Sequence, residues 1–214
     1  MSELAFAIAG VRPERFAAVP TLAFGLRISE TSGADIHSIL LRCQIRIEPH
    51  RRRYSHEEEG RLVEQFGAVP RWSETLKPFL WTHVSAIVPA LSGSIEFQLQ
   101  VPCTYDFEVT AAKYFHALDE GEIPMLLLFS GTVFAKGENG LRVSQVPWSK
   151  EIAYRLPLSV WREMADLYFP NSGWLRLRRD TLNELMKFKA RHHLVSWDDV
   201  VEALLKREEA AARI

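Results

Sequence analysis

The stretch IHSILLRCQIRIE, residues 36–48, alternates apolar and polar side chains along its length. Its apolar set is Ile39, Leu41, Cys43, Ile45 and Ile47. The residues between them, which include Arg42 and Arg46, are mostly polar. Successive side chains of a β-strand point to opposite faces of a sheet, so this period of two predicts a strand with one buried face and one solvated face.

Further segments on both sides of this strand also predict β-structure. IPMLLLFSGTVF, residues 123–134, is apolar on both sides, so we expect a central strand that is covered on both faces. KGENG, residues 136–140, is a turn signal because Gly and Asn tolerate positive φ. The other predicted strands are TLAFGLRIS (21–29), SIEFQLQV (94–101), CTYDFEV (103–109), LRVSQV (141–146) and KEIAYRL (150–156). About seven or eight strands joined by turns predict a mainly β (α+β) fold, an antiparallel two-sheet β-sandwich.

Helical signals lie near residues 55–66 and at the end of the chain. Ser55 and Glu58 match the S-x-x-E capping box, and apolar residues follow them at helical spacing. LSVWREMADLY, residues 158–168, follows a proline and has an apolar stripe, and Ser196 with Asp199 predicts the start of a last helix. We therefore predict a sandwich over residues 1–157 with one short inserted helix. Residues 158–214 are expected to be helices packed on the sandwich rather than an independent domain.

Composition and charge exclude several classes of protein. The 214 residues have a net charge of -1, so no overall field attracts nucleic acid or an anionic membrane. No apolar run approaches the roughly 20 residues that span a bilayer, and the N-terminal apolar run has no basic region before it. The 2 cysteines cannot form a disulfide framework. These features predict a cytoplasmic protein that binds neither nucleic acid nor membrane.

Two arginine-rich stretches are candidates for binding a partner. The first is EPHRRRYSHEEEGRL, residues 48–62, and the second is WLRLRRDT, residues 174–181. Arginine and tryptophan contribute much of the binding energy when an interface buries them. The candidate residues are therefore Arg51, Arg52, Arg53, Trp174, Arg176 and Arg178. The alternative is a solvated corner that its own glutamates neutralise.

Catalytic and metal-binding motifs are missing from the sequence. None of the 7 histidines lies in an HExxH or Cys/His ligand spacing, and Ser130 lies outside any G-x-S-x-G motif. We therefore expect no enzymatic activity and no cofactor. One metal hypothesis stays open, because Cys43 and Cys103 with His37 or His83 could meet if their strands were in register.

Five segments together resemble an uncharacterised bacterial domain-of-unknown-function family that is associated with gene clusters of actinobacterial-type nickel–iron hydrogenases. These segments are IHSILLRCQIRIEP, PFLWTHV, VPCTYDFEV, IPMLLLFSGTVF and YFPNSGWLRLRRDTL, and the likeness spans most of the chain. The resemblance implies a cytoplasmic accessory protein that helps to assemble, mature or hold hydrogenase subunits. It implies no catalytic or ligand residues.

Three functions follow from these observations. The leading one is a non-enzymatic accessory or assembly protein that acts through protein–protein contacts, with hydrogenase subunits or maturation factors as the implied partners. The second is a β-sandwich that binds a small ligand, either a carbohydrate or a hydrophobic molecule. The third is a metal carrier that uses the two cysteines and a histidine.

Overall fold

Two antiparallel sheets and several helices make up the computed structural model, which describes residues 3–103, 105–137, 140–170 and 177–211 (only the backbone for residues 105–109 and 211). The strands are β1 (Leu4–Pro13), β2 (Thr21–Glu30), β3 (Ile36–Ile47), β4 (Phe79–Val88), β5 (Ser94–Pro102), β6 (Glu122–Gly137), β7 (Gly140–Gln145) and β8 (Glu151–Pro157). The helices are α1 (His56–Phe66), α2 (Trp72–Thr75), α3 (Tyr105–Ala117), α4 (Leu158–Tyr168), α5 (Arg179–Arg191) and α6 (Trp197–Ala211). The predicted mainly β (α+β) class is confirmed.

The two sheets pack with their apolar faces together. One sheet has the order β1-β2-β5, and the other has the order β4-β3-β6-β7, with β8 also paired to β6. Phe6 of the first sheet stacks on Phe129 of the second with ring centroids 4.5 Å apart, and Phe24 meets Tyr154 edge to face. The apolar set predicted on β3 is fully buried. The alternation of β3 therefore does define the core, as expected from the sequence.

Gly131 lies between the two parts of β6 that pair with different strands on the side away from β3. Residues 122–128 of β6 pair with β8, and residues 132–137 pair with β7. Gly131 has a φ of +145°, and a Cβ atom built on it would lie 2.0 Å from the carbonyl oxygen of Leu40 on β3. No side chain fits at that distance, so the close approach of β3 and β6 requires glycine at this position.

An aromatic cluster connects three of the helices to β4. Tyr114 of α3 is fully buried against Phe66 of α1 and Phe79 of β4. Its neighbour Phe115 meets Trp161 of α4 with ring centroids 5.3 Å apart. Edge-to-face pairs of this kind contribute about 0.5–1.5 kcal/mol each beyond the area they bury. Helices α1, α3 and α4 are therefore part of the same core as the sheets.

The strand predicted at residues 103–109 is wrong, because α3 begins at Tyr105. The period of two in CTYDFEV competes with a helical pattern that starts just after it. Ala111, Tyr114, Phe115 and Leu118 are all buried, at the i, i+3, i+4 and i+7 spacing of a helix face. Burial of this apolar stripe in the aromatic cluster decides in favour of the helix.

Strands β1 and β4 have no prediction from the sequence, and both are interrupted edge strands. The register of β1 shifts between Ile8 and Gly10. The register of β4 shifts opposite Ile45 and Arg46, so that Trp81 is buried out of phase with the rest of the strand. A β-bulge inserts one residue and breaks the period of two. On each side of the bulge, the alternation of apolar and polar residues is therefore too short to predict a strand.

The chain divides into two compact units, Met1–Asn171 and Ser172–Ile214. Helix α4 lies in the first unit. In the second, Ser196 and Asp199 exchange side chain–backbone hydrogen bonds of 2.8 and 3.0 Å at the start of α6, which confirms the predicted cap. Packing of the C-terminal helices on the sandwich stays a prediction. No helix within the described residues is long and apolar enough to cross a membrane.

The carboxylate of Glu30 organises the turn after β2. It is buried and accepts hydrogen bonds from the backbone N–H groups of Glu3 and Ser32, each 3.0 Å long, and of Ala34 at 2.8 Å. The Ser32 hydroxyl donates a further, short hydrogen bond. The Ser32 hydroxyl, with the backbone donors, lowers the pKa of Glu30 to about 2 despite its burial.

Replacing Glu30 with glutamine is expected to lower the free energy of unfolding by about 1–3 kcal/mol at neutral pH, because the neutral amide is a weaker acceptor. The contribution of the carboxylate is complete above its ordinary pKa of 4.5 and is lost as the pH falls toward about 2. In urea unfolding, the difference between wild type and Glu30→Gln should shrink over that interval. Glu96→Gln, at an exposed ion pair, is the control and should change stability little. A Glu30→Gln difference that is independent of pH would contradict this assignment.

Candidate interaction surface

The predicted capping box at the start of α1 is present. Ser55 Oγ accepts a 3.2 Å hydrogen bond from the Glu58 N–H, and Glu58 Oε2 accepts a 3.0 Å hydrogen bond from the Ser55 N–H. Glu57 and Glu59 lie in the same first turn, where the exposed N–H groups of the helix favour carboxylates. This local arrangement explains the acidic half of the stretch at residues 48–62.

Arg52 has a mostly covered side chain that is bound within the chain, so it is less available to a partner than the sequence suggests. Its guanidinium donates to Glu58 Oε1 at 2.6 Å and to the carbonyl oxygens of Glu120 at 2.6 Å and Glu122 at 2.9 Å. The side chains of Arg52 and Glu58 are 10% and 5% exposed. Glu58 Oε1 also accepts the Asp119 N–H at 2.9 Å. Arg52 and Glu58 therefore connect the loop between β3 and α1, helix α1 itself and the loop after α3.

Arg51 and Arg53 are exposed at an open depression of about 990 Å³ that charges of both signs surround. Arg51 Nε lies 2.7 Å from a carboxylate oxygen of the buried Glu48. The depression is lined by Arg51, Arg53, Arg155, Glu57, Asp119 and Glu122, among others. Because the carboxylates largely balance the arginines, this corner resembles the neutralised corner of the alternative interpretation. Partner binding by Arg51 and Arg53 stays a prediction.

Two tyrosine hydroxyls, one half-buried and one buried, form a hydrogen-bonded pair next to Arg52. Tyr54 Oη lies 2.6 Å from the Pro49 carbonyl oxygen, to which it must donate. Tyr114 Oη, 2.8 Å from Tyr54 Oη, is therefore the donor in the second bond. Burial raises the pKa of both hydroxyls, that of Tyr114 to about 12. Both stay protonated at neutral pH and act as structural donors.

The structure does not bring the four candidate metal ligands together. Cys43 points into the core from β3, where burial raises the pKa of its thiol to about 12. His37 and His83 are exposed, and His83 lies opposite Gln44, whose side chain is on the other face from Cys43. Cys103 is buried after β5. The described residues contain no group of three or more His, Cys, Asp or Glu side chains that could hold a metal ion.

The second arginine-rich stretch falls largely outside the described residues. Trp174 and Arg176 belong to residues 171–176, which the structure does not describe, and Arg178 is exposed just before α5. Partner binding by Trp174, Arg176 and Arg178 therefore stays a prediction.

The outer faces of the two sheets differ sharply in composition. The outer face of the three-stranded sheet has small and polar residues, and Arg27 pairs there with its cross-strand neighbour Glu96 at 2.7 Å. The exposed residues on that face include Ala5, Ala7, Arg27, Glu96, Gln98 and Gln100. This composition is the ordinary one for the solvated face of an antiparallel sheet.

The outer face of the five-stranded sheet has large apolar residues instead. On it, Leu40 lies opposite Ile87, and Phe134 lies opposite Val143. Leu40, Ile87, Leu141 and Val143 are 46%, 68%, 58% and 56% exposed. Together with the half-buried Phe134 these four residues form what we call the apolar patch. Contiguous apolar residues on an exposed sheet face mark interaction sites more often than single exposed residues do.

The expectation that β6 is covered on both faces is wrong. Strand β6 is central in its sheet, but Ser130 on its outer face is exposed, and Leu126, Leu128 and Phe134 are only half-buried. The apolar character of both sides of IPMLLLFSGTVF was the sequence signal for this surface. This pattern predicts burial within the chain, and it is equally compatible with a face that another molecule covers.

Comparisons with known proteins give a family and distant structural likenesses. A family model described as "Family of unknown function (DUF6084)" matches residues 1–213. No curated protein matches the sequence. The crystal structure of a Bordetella pertussis protein designated ApaA is similar over 73% of this chain and 95% of its own, with 13% identity and a TM-score of 0.33. A β-glucosidase from Kluyveromyces marxianus is similar over 72% of this chain and 15% of its own, with 7% identity and a TM-score of 0.27.

Proposed function

The chain belongs to DUF6084, a family of unknown function, and we propose that it is a non-enzymatic accessory protein that docks a protein partner on the outer face of its five-stranded sheet. The observation that supports this function is the contrast between the two outer faces. One has a polar composition suited to water, and the other has the apolar patch. Interfaces gain most of their energy from apolar surface that is removed from water.

A small ligand between the sheets has less support. The side chains that would line such a cavity, for example Phe24, Leu127 and Phe129, are 0–2% exposed and belong to one core cluster. A protein interior of this kind is close-packed and offers little space for a ligand. The hydrogenase subunits and maturation factors implied by the sequence resemblance are the first partners to test.

The test removes the apolar patch without changing the strands. In the double variant Leu40→Thr/Ile87→Thr, threonine keeps a high β-propensity and loses most of the apolar surface. Affinity for the partner is expected to fall by about tenfold or more, which corresponds to about 1.4 kcal/mol. Because both residues are exposed, the urea midpoint should change little. The measurement compares the proteins that each tagged variant captures from the native host, followed by titration of any protein that is lost.

Gln98→Thr/Gln100→Thr is the matched control, because it changes two exposed residues on the other outer face. A protein that wild type and control capture, and that the patch variant loses, supports the proposal. If the patch variant captures every protein that wild type captures, the docking surface is elsewhere and the proposal fails.

A further inference from the structure

Two arginines of β3 indicate which chemistry the partner would have. Arg42 and Arg46 both point to the outer face and are four residues apart, roughly 13 Å at about 3.3 Å per residue. Arg42 lies between Ser85 and Ser130 on the neighbouring strands. Arg46 lies in the same way between two leucines, Leu80 and Leu126. The two guanidinium groups therefore lie on the same face as the apolar patch.

Neither arginine has a carboxylate beside it. Strands β3 and β4, residues 36–47 and 79–88, contain no aspartate or glutamate, and Glu151 of β8, which lies opposite Leu128 on this face, is separated from β3 by β6. Within the described part of the chain, no hydrogen bond or ion pair involves the guanidinium of Arg42 or Arg46. Arg27 on the other outer face is different, because its cross-strand neighbour Glu96 pairs with it. The three-stranded sheet thus pairs the arginine on its outer face with a glutamate, whereas the five-stranded sheet leaves Arg42 and Arg46 without a paired carboxylate.

A second copy of the chain does not suit this surface. In a symmetric contact of two identical faces, both copies would bring their own β3 arginines into the one interface. Positive charge from both copies in one interface is unfavourable without carboxylates to balance it. A partner with negative charge would instead form favourable electrostatic interactions with these arginines.

We propose that the docking segment of the partner is acidic and apolar, with carboxylates that pair with Arg42 and Arg46 while apolar side chains cover the apolar patch. This inference rests on the proposed docking function. Arginine binds carboxylate in bidentate geometry, and such pairs set orientation and association rate as well as affinity. A bare phosphate surface, such as an anionic membrane or nucleic acid, is a poorer match, because large exposed apolar residues take up much of this face.

The test uses two labelled synthetic peptides of equal length, one alternating glutamate with valine and the other alternating lysine with valine. Fluorescence anisotropy should show that the wild type binds the acidic peptide and not the basic one, with an affinity that falls as salt is added. Arg42→Gln/Arg46→Gln should weaken binding by about tenfold or more. Arg42→Lys/Arg46→Lys should retain part of it, and Arg27→Gln on the other face is the matched control.

Several outcomes overturn the inference. They are failure of the wild type to bind the acidic peptide, equal affinity of the glutamine variant, and binding to phosphatidylserine vesicles in place of the peptide. The partner captured in the docking experiment separates the two proposals. If the threonine variant loses that partner and the glutamine variant keeps it, the docking face stands and the acidic chemistry is wrong. If the threonine variant also keeps it, the docking function itself fails.

Discussion

Gly131→Ala is expected to lower the free energy of unfolding by more than about 3 kcal/mol, and the variant should accumulate poorly as folded protein. The new Cβ atom would lie 2.0 Å from the Leu40 carbonyl oxygen and 3.2 Å from the Leu41 Cα atom, both in the backbone of β3. A backbone atom cannot rotate away as a side chain can. The φ of +145° adds strain of about 1–3 kcal/mol for any residue other than glycine.

The measurement is urea unfolding followed by tryptophan fluorescence and circular dichroism. Gly60→Ala is the control, because Gly60 lies within α1 and a Cβ atom there would have no neighbour within 4 Å. Alanine at that position should be neutral or stabilise the protein by up to about 1 kcal/mol. An unchanged midpoint for Gly131→Ala would show that β3 and β6 do not approach as closely as described.

Arg52→Met is expected to cost about 3–5 kcal/mol, because it leaves the Glu58 carboxylate buried without its cation. Two carbonyl oxygens, those of Glu120 and Glu122, also lose their donor. Methionine retains much of the packing volume, so the loss reports charge and hydrogen bonding rather than a cavity. Urea unfolding measures it, and Arg53→Met next to it, at an exposed side chain, should change stability by less than about 0.5 kcal/mol.

A double-mutant cycle tests the cause. Arg52→Met/Glu58→Gln removes both charges of the pair, so it should recover part of the loss caused by Arg52→Met alone. If the loss in the double variant equals the sum of the losses measured for Arg52→Met and for Glu58→Gln alone, the two side chains are not coupled. The same reasoning changes the design of a binding test at this corner. Arg51→Glu/Arg53→Glu tests partner binding with the Arg52–Glu58 pair intact, whereas a reversal that includes Arg52 is expected to destabilise the fold at least as much as Arg52→Met.

Arginines of similar appearance in the sequence have different roles in the structure. The run of three at residues 51–53 suggested a binding patch, yet its central member holds three segments of the chain together. Arg42 and Arg46 are isolated in an ordinary alternation and suggested only a solvated strand face. In the structure Arg42 lies between two serines and Arg46 between two leucines, and neither has a carboxylate on the adjacent strand positions. The residue type therefore does not distinguish a structural arginine from one that is available to a partner.

The sequence by itself determined the features whose cause is local. The alternation of β2, β3 and β5 predicts their buried faces, because a strand turns successive side chains to opposite sides. The start of α1 follows from Ser55 and Glu58, because a capping box needs only residues three positions apart.

Only the tertiary structure decided features that depend on residues distant in the chain. Segment 105–117 is a helix because aromatic residues of α1, β4 and α4 bury its apolar stripe. Strands β1 and β4 exist through pairing across bulges that erase their period. Whether an outer face is polar or apolar depends on which strands lie side by side in the sheet. Residues that are far apart in the chain have no characteristic sequence spacing when they are in contact. Such contacts can therefore be identified only from the folded structure.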